Sequence, residues 1–170
     1  ANNPEALLTS AYISLKNYNN QYDITDQGTD LYINTRGVDP GAFNQYSSLD
    51  YENSVVKMYY VNCYGTINYA NGFLSYTEGN DTYERQRQEA RFLRAYAYYC
   101  LSQQFGGVPY VTTYITSADR NYPRTELAEL YNNVVEDLTD IYNNCKLPAT
   151  DYTSGRPSKE AVASLIAKFY

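Results

Sequence analysis

Glu89-Ala90-Arg91-Phe92-Leu93-Arg94-Ala95-Tyr96, closed downstream by Phe105-Gly106-Gly107-Val108-Pro109, decides the fold of this chain. The first stretch is made of good helix formers and predicts a helix from near Thr82 through Phe92, Leu93, Tyr96, Ala97 and Cys100. The glycine pair with proline just beyond is a helix stop. A phosphate-binding loop needs glycines before a helix, where free N–H groups point at the anion; here they follow one. Arg85 and Glu89 are four apart and can pair on one face. Arg91 and Arg94 flank Phe92-Leu93, so their stems are expected to lie on neighbouring helices and their heads to need carboxylates or helix carbonyls.

Working outward, four more helices are predicted. Asn3, Pro4 and Glu5 supply cap, first position and dipole complement for a helix carrying Ala6, Leu7, Ala11 and Leu15. Val56, Tyr60, Cys63, Ile67, Ala70 and Leu74 recur at steps of four and three, and Gly79-Asn80-Asp81 ends that stripe. Thr125 is expected to cap a helix with Leu127, Tyr131, Val134, Leu138, Ile141 and Cys145, stopped by Leu147-Pro148. Ser158 caps the last, with Ala161, Leu165 and Ile166. That helix shows no stop before Tyr170, so we expect the chain to be cut within it. Val108 to Tyr114 reads as an extended connector. The predicted class is all-α, with no sustained alternating run. Tyr64-x-x-Ile67 and Tyr131-x-x-Val134 lie 67 residues apart, near two tetratricopeptide periods of about 34, which favours stacked helical hairpins.

Composition narrows the chemistry. The 170 residues suit one domain and carry a formal charge of −6, which disfavours the nucleic-acid backbone as a partner. There is no His, which removes Ser-His-Asp, Cys-His and His-metal mechanisms. Cys63, Cys100 and Cys145 have no Cys-x-x-Cys spacing and read as small buried hydrophobes, neither a disulfide framework nor a zinc site. Asp23, Asp26 and Asp30 have the wrong spacing for a calcium loop and read as turn formers. Paired carboxylates are the remaining catalytic option, and Glu126, Glu129, Glu136, Asp137 and Asp140 fit a solvated helix face instead. No enzyme activity, cofactor or metal is expected.

The 22 tyrosines divide in two. Tyr60, Tyr64, Tyr96 and Tyr131 fall on helical stripes and belong to the core. Tyr22, Tyr32, Phe43 and Tyr46 fall in the polar, turn-rich segment between the first two long helices, beside Asn34, Arg36 and Asn44. That segment exceeds the roughly 12–15 residues at which a loop usually has a job. Flat rings suit the CH face of a sugar, and amides and a guanidinium suit its hydroxyl rim; the same rings could also pack the loop onto the scaffold.

Together the Glu89–Tyr96 and Phe105–Pro109 runs strongly resemble the SusD/RagB family of outer-membrane nutrient-binding lipoproteins. Tyr64-x-x-Ile67-x-x-Ala70-Asn71 is similar to the family's second-helix pattern, with Tyr60 where members often have Trp. Asp30 resembles the family's Asp in the first loop, Tyr131-x-x-Val134-x-x-Asp137-Leu138 resembles its next helix, and Gly155-Arg156-Pro157-Ser158-Lys159 resembles the start of the following one. The resemblance implies that residues 1–170 are the N-terminal, tetratricopeptide-like part of a longer protein. It implies a surface-exposed outer-membrane location, lipid-anchored through a cysteine that this chain lacks. It also implies an oligosaccharide or polysaccharide ligand and a TonB-dependent (SusC-like) transporter as partner. Glu89, Arg91, Arg94, Gly106, Gly107 and Pro109 would be the structural motif; Tyr32, Asn34, Arg36, Phe43, Asn44 and Tyr46 are the candidate glycan contacts. The competing reading is a helical interaction scaffold that docks the transporter and carries a peptide or other nutrient.

Overall fold

A computed structural model describes residues 3–19, 22–32, 40–47, 49–117, 121–151 and 154–170. Five long helices lie where the caps and stripes put them: α1 (Pro4–Asn19), α4 (Ser54–Tyr76), α5 (Glu84–Phe105), α6 (Leu127–Asn143) and α7 (Lys159–Ala167). The long loop after α1 is less irregular than expected, because it contains two short helices, α2 (Tyr22–Thr25) and α3 (Pro40–Asn44). No strand occurs among the described residues. α1 packs on α4, α4 on α5, α5 on α6 and α6 on α7, the successive hairpin packing of a tetratricopeptide-like stack.

Local chemistry explains the boundaries. Asn3 Oδ1 accepts from Glu5 N, Asn53 Oδ1 from Val55 N and Val56 N, and Ser158 Oγ from Ala161 N. Leu93, Leu101, Leu130, Leu138 and Ile141 are fully buried, each worth about 1.5–3 kcal/mol of transfer free energy. The α4 stripe is rotated slightly from the predicted one: Tyr59, Cys63, Ile67, Ala70 and Phe73 are buried, while Tyr60 and Leu74 are half-buried. All three cysteines are free thiols, and burial pushes Cys100 up to about 11 and Cys63 higher still.

Gly106 ends α5 at φ 68°, and a Cβ on Gly107 would lie 2.4 Å from the Thr125 carbonyl oxygen. The chain after the glycines therefore runs against the segment before α6. This corrects the expected role of Thr125. It does not cap α6, whose N-cap residue is Glu126 without a side-chain bond. Its amide donates to Val108 O and its hydroxyl accepts from Tyr110 N, which pins the connector. Arg124 donates to the Phe105 and Gly107 carbonyls and closes the end of α5. From α4, Tyr64 donates to Pro109 O, Asn71 to Val111 O and Thr113 O, and Asn68 both donates to Ile115 O and accepts from Ile115 N.

The polar face of α5 turns inward. Glu89 is 1% exposed and does not pair with Arg85; it accepts from Arg156 Nη1 at 3.0 Å and from the Tyr12 hydroxyl. Arg94 bridges Asn71 Oδ1 at 2.9 Å and Asp137 Oδ2 at 3.0 Å. Arg91 holds Asp137 and Asp140. Asp137 is thus no member of a solvated face. Hydrogen bonding from Arg91 holds the Asp140 carboxyl below its ordinary range. Its stabilising contribution is therefore present above the unfolded-state value and disappears as pH falls through the lowered one. Asp137→Ala leaves two guanidiniums without their shared anion and should cost about 2–3 kcal/mol. Glu136→Ala, one residue away and exposed, should stay within about 0.5 kcal/mol. Urea unfolding of both variants checks this, and equal effects would refute the inward assignment.

Candidate functional site

The segment between α1 and α4 is fastened from inside. Ile24 packs against the main core, and Ala42 and Phe43 are buried. Asp26 N and Gln27 N both donate to Tyr22 O, and the Thr29 hydroxyl donates to Asp26 O, so the chain turns tightly after α2. The Tyr46 hydroxyl then donates to Gly28 O across the loop at 2.9 Å. Gly28 sits at φ 75°, and a Cβ there would lie 2.2 Å from the Phe43 carbonyl oxygen and 2.8 Å from the Tyr46 hydroxyl. Only glycine allows the two halves of the loop to approach this closely. Tyr46 itself holds φ 54°, an uncommon conformation for a residue with a side chain. Its hydroxyl is held by Gly28 O, and the residue remains 65% exposed.

At the exit, Asp50 Oδ1 accepts from Glu52 N and Asn53 N, and Asn53 in turn caps α4. Tyr51 lies inside this turn and is 84% exposed. The result is a set of open tyrosine rings, Tyr22, Tyr32, Tyr46 and Tyr51, carried on a base pinned to the scaffold. Each offers a flat apolar face with a hydroxyl at its edge, which can stack on a ligand face and hydrogen-bond its rim.

The predicted contacts fare differently. Tyr32 (61% exposed) and Tyr46 present their rings. Phe43, at 9%, does not: it faces inward as a packing residue, so it cannot offer a ring face to solvent. Asn44 is half-buried at the end of α3. Asn34 and Arg36 lie outside the described residues. Asp30 is exposed after the turn. Tyr51 was not among the expected contacts; the Asp50-x-x-Asn53 pattern, in which Asp50 caps the turn that leads into α4, is the local signal that places it on a held turn. The stripe tyrosines are packing residues. Tyr60 and Tyr64 rings lie 4.8 Å apart, and the Tyr131 hydroxyl accepts from Gln103.

Residues 2–170 match a family model described as starch-binding associating with outer membrane. The SusD-like protein P2 of Formosa agariphila is 27% identical over 125 residues, which are 70% of this chain and 24% of that protein. A SusD-like carbohydrate binding protein from Bacteroides fragilis superposes with a TM-score of 0.64 at 27% identity, covering 71% of this chain and 25% of its own. A laminarin binding SusD-like protein gives a TM-score of 0.80 at 22% identity over 98% of this chain and 39% of its own, which shows the shared fold. The chain thus spans about a quarter of the first two relatives, with 24% and 25% covered.

Gly28→Val tests the loop lock. It should release Tyr46 and locally destabilise the segment by about 1–3 kcal/mol. Limited proteolysis between residues 29 and 46 should speed up about tenfold or more, while ellipticity at 222 nm stays unchanged. An unaltered cleavage rate would show that the Gly28–Tyr46 contact does not order the loop.

Proposed function

The chain belongs to the SusD-like family of starch-binding proteins associating with the outer membrane, and on that premise we propose that it is the helical part of a non-catalytic cell-surface protein that captures oligosaccharides. Its partner in this reading is a TonB-dependent outer-membrane transporter, to which it passes the sugar. The observation that carries the reading is the set of exposed tyrosine rings on a loop whose base is hydrogen-bonded and buried. Tyr32 and Tyr46, joined by Tyr51 and Tyr22, would stack on sugar faces. Asn44 and, from the sequence, Asn34 and Arg36 would supply amide and guanidinium contacts to ring hydroxyls. The remaining length of the relatives leaves room for further contacts outside this chain.

Binding by such a surface needs no proton transfer or nucleophile. Its energy comes from burying ring faces and completing hydrogen bonds around them. Where hydrogen bonds already hold the described backbone, around Gly28 and at Asp50 to Asn53, less ordering entropy is lost when a sugar lands. Ile13, Met58 and Val61 stand exposed on α1 and α4 and give the scaffold apolar side chains for contact with the transporter.

Isothermal titration of the full-length polypeptide with glucan oligosaccharides tests the reading. Tyr32→Ala or Tyr46→Ala should weaken binding about tenfold, or roughly 1–2 kcal/mol, with helicity unchanged. Arg36→Ala should do the same. Unchanged affinity in all three would remove the loop from the binding site, and release of reducing ends would overturn the non-catalytic assignment.

A further inference from the structure

A second site lies away from the tyrosine loop. The C-terminal half of α4, the exposed edge of α5 and the pinned connector enclose an open cleft of about 700 Å³, within the size range of ligand pockets. Arg87, Arg91 and Arg94 line it from α5, spaced four and three apart and therefore on one face. Two of these cations are matched, since Arg91 and Arg94 share Asp137 and Arg91 also holds Asp140. Arg87 is not. Its Nη1 donates to Leu74 O at 2.8 Å and to Thr77 Oγ1 at 3.3 Å, both neutral acceptors. No ion pair engages it among the described residues. The carbonyl end of α4 offers it only a partial charge of about −0.5. A half-buried guanidinium thus reaches the cleft with part of its charge uncompensated.

The rest of the wall has the chemistry of a sugar site. Ser75, Thr112, Thr113 and Thr116 bring exposed hydroxyls, and the half-buried Tyr114 ring stands edge-on to Tyr76 at 5.9 Å. The threonines sit on backbone held by Asn68 and Asn71, so their positions are set before any ligand arrives. Glu78 is the acidic side chain lining the cleft; it is exposed and unpaired with Arg87.

We propose that this cleft binds an acidic sugar unit of an anionic oligosaccharide, with Arg87 holding the carboxylate and the Ser/Thr hydroxyls holding the ring substituents. The saccharide half of this assignment rests on the glycan-capture reading; the anionic half rests on Arg87 alone. A planar guanidinium is suited to bidentate carboxylate recognition.

The test is calorimetric titration of the full-length polypeptide at low salt with galacturonic acid and mannuronic acid tetramers. Each is compared with its carboxyl-reduced, neutral counterpart. At least one acidic tetramer should bind about tenfold tighter than its neutral form, the effect of one charge-assisted contact. Arg87→Gln keeps a donor for Leu74 O, so the fold should survive, as the melting temperature will verify; the acidic preference should fall below about threefold. Glu78→Gln should move the other way, widening the preference about two- to threefold by removing a like charge. Tyr32→Ala, in the loop at the far end of α4, should leave the acidic preference intact. Equal binding of acidic and neutral forms, a preference that survives Arg87→Gln, or no binding of either form overturns the cleft assignment. An acidic preference lost in Arg87→Gln upholds the cleft whatever Tyr32→Ala does to glucan binding, so the cleft and the loop readings fail separately.

Discussion

Most of this structure hangs on the decision to turn the charged side of α5 inward. Glu89, Arg91 and Arg94 are buried or half-buried: Glu89 reaches Tyr12 of α1 and Arg156 ahead of α7, Arg91 reaches Asp137 and Asp140 of α6, and Arg94 joins Asp137 to Asn71 of α4. Gln88 adds a fourth tie, donating to Asn144 O and accepting from Lys146 N just past α6. Such groups are costly to bury unless every partner is in place. The helices are therefore fixed in one register, whereas leucine packing alone would tolerate sliding.

That register reaches the surface through asparagine. Asn71 meets Arg94 on one side and the Val111 and Thr113 carbonyls on the other. The connector has no strand to pair with, and α4 side chains satisfy its backbone instead. The same helix begins at Asn53, where the aromatic loop ends. One scaffold helix thus positions two surfaces: the tyrosine loop at its N-terminal end and the arginine cleft toward its C-terminal end.

Helix positions were legible because caps and stops are local: Asn3, Ser158 and Gly106 act on backbone within a few residues. Partners were less so. Asp137 and Glu136 look alike in sequence, yet Asp137 lies three residues past buried Val134 and seven past Leu130, at the margin of the apolar stripe. Glu89 likewise sits four before buried Leu93. Thr125 was misassigned because a tertiary contact with Val108 and Tyr110 outcompetes its local capping role. In the loop, Tyr32 and Phe43 are both aromatic in a polar run; which one faces in depends on how α3 docks, a nonlocal fact.

In the proposed reading, the helical stack displays its loop tyrosines for sugar contact and keeps its other rings for packing. Aromatic-ring NMR shifts of tyrosine, recorded as the full-length polypeptide is titrated with a glucan oligosaccharide, test it directly. Shifts are expected at Tyr22, Tyr32, Tyr46 and Tyr51 and none at buried Tyr18, Tyr59 and Tyr98. Saturating sugar that leaves the four loop rings unmoved would contradict it.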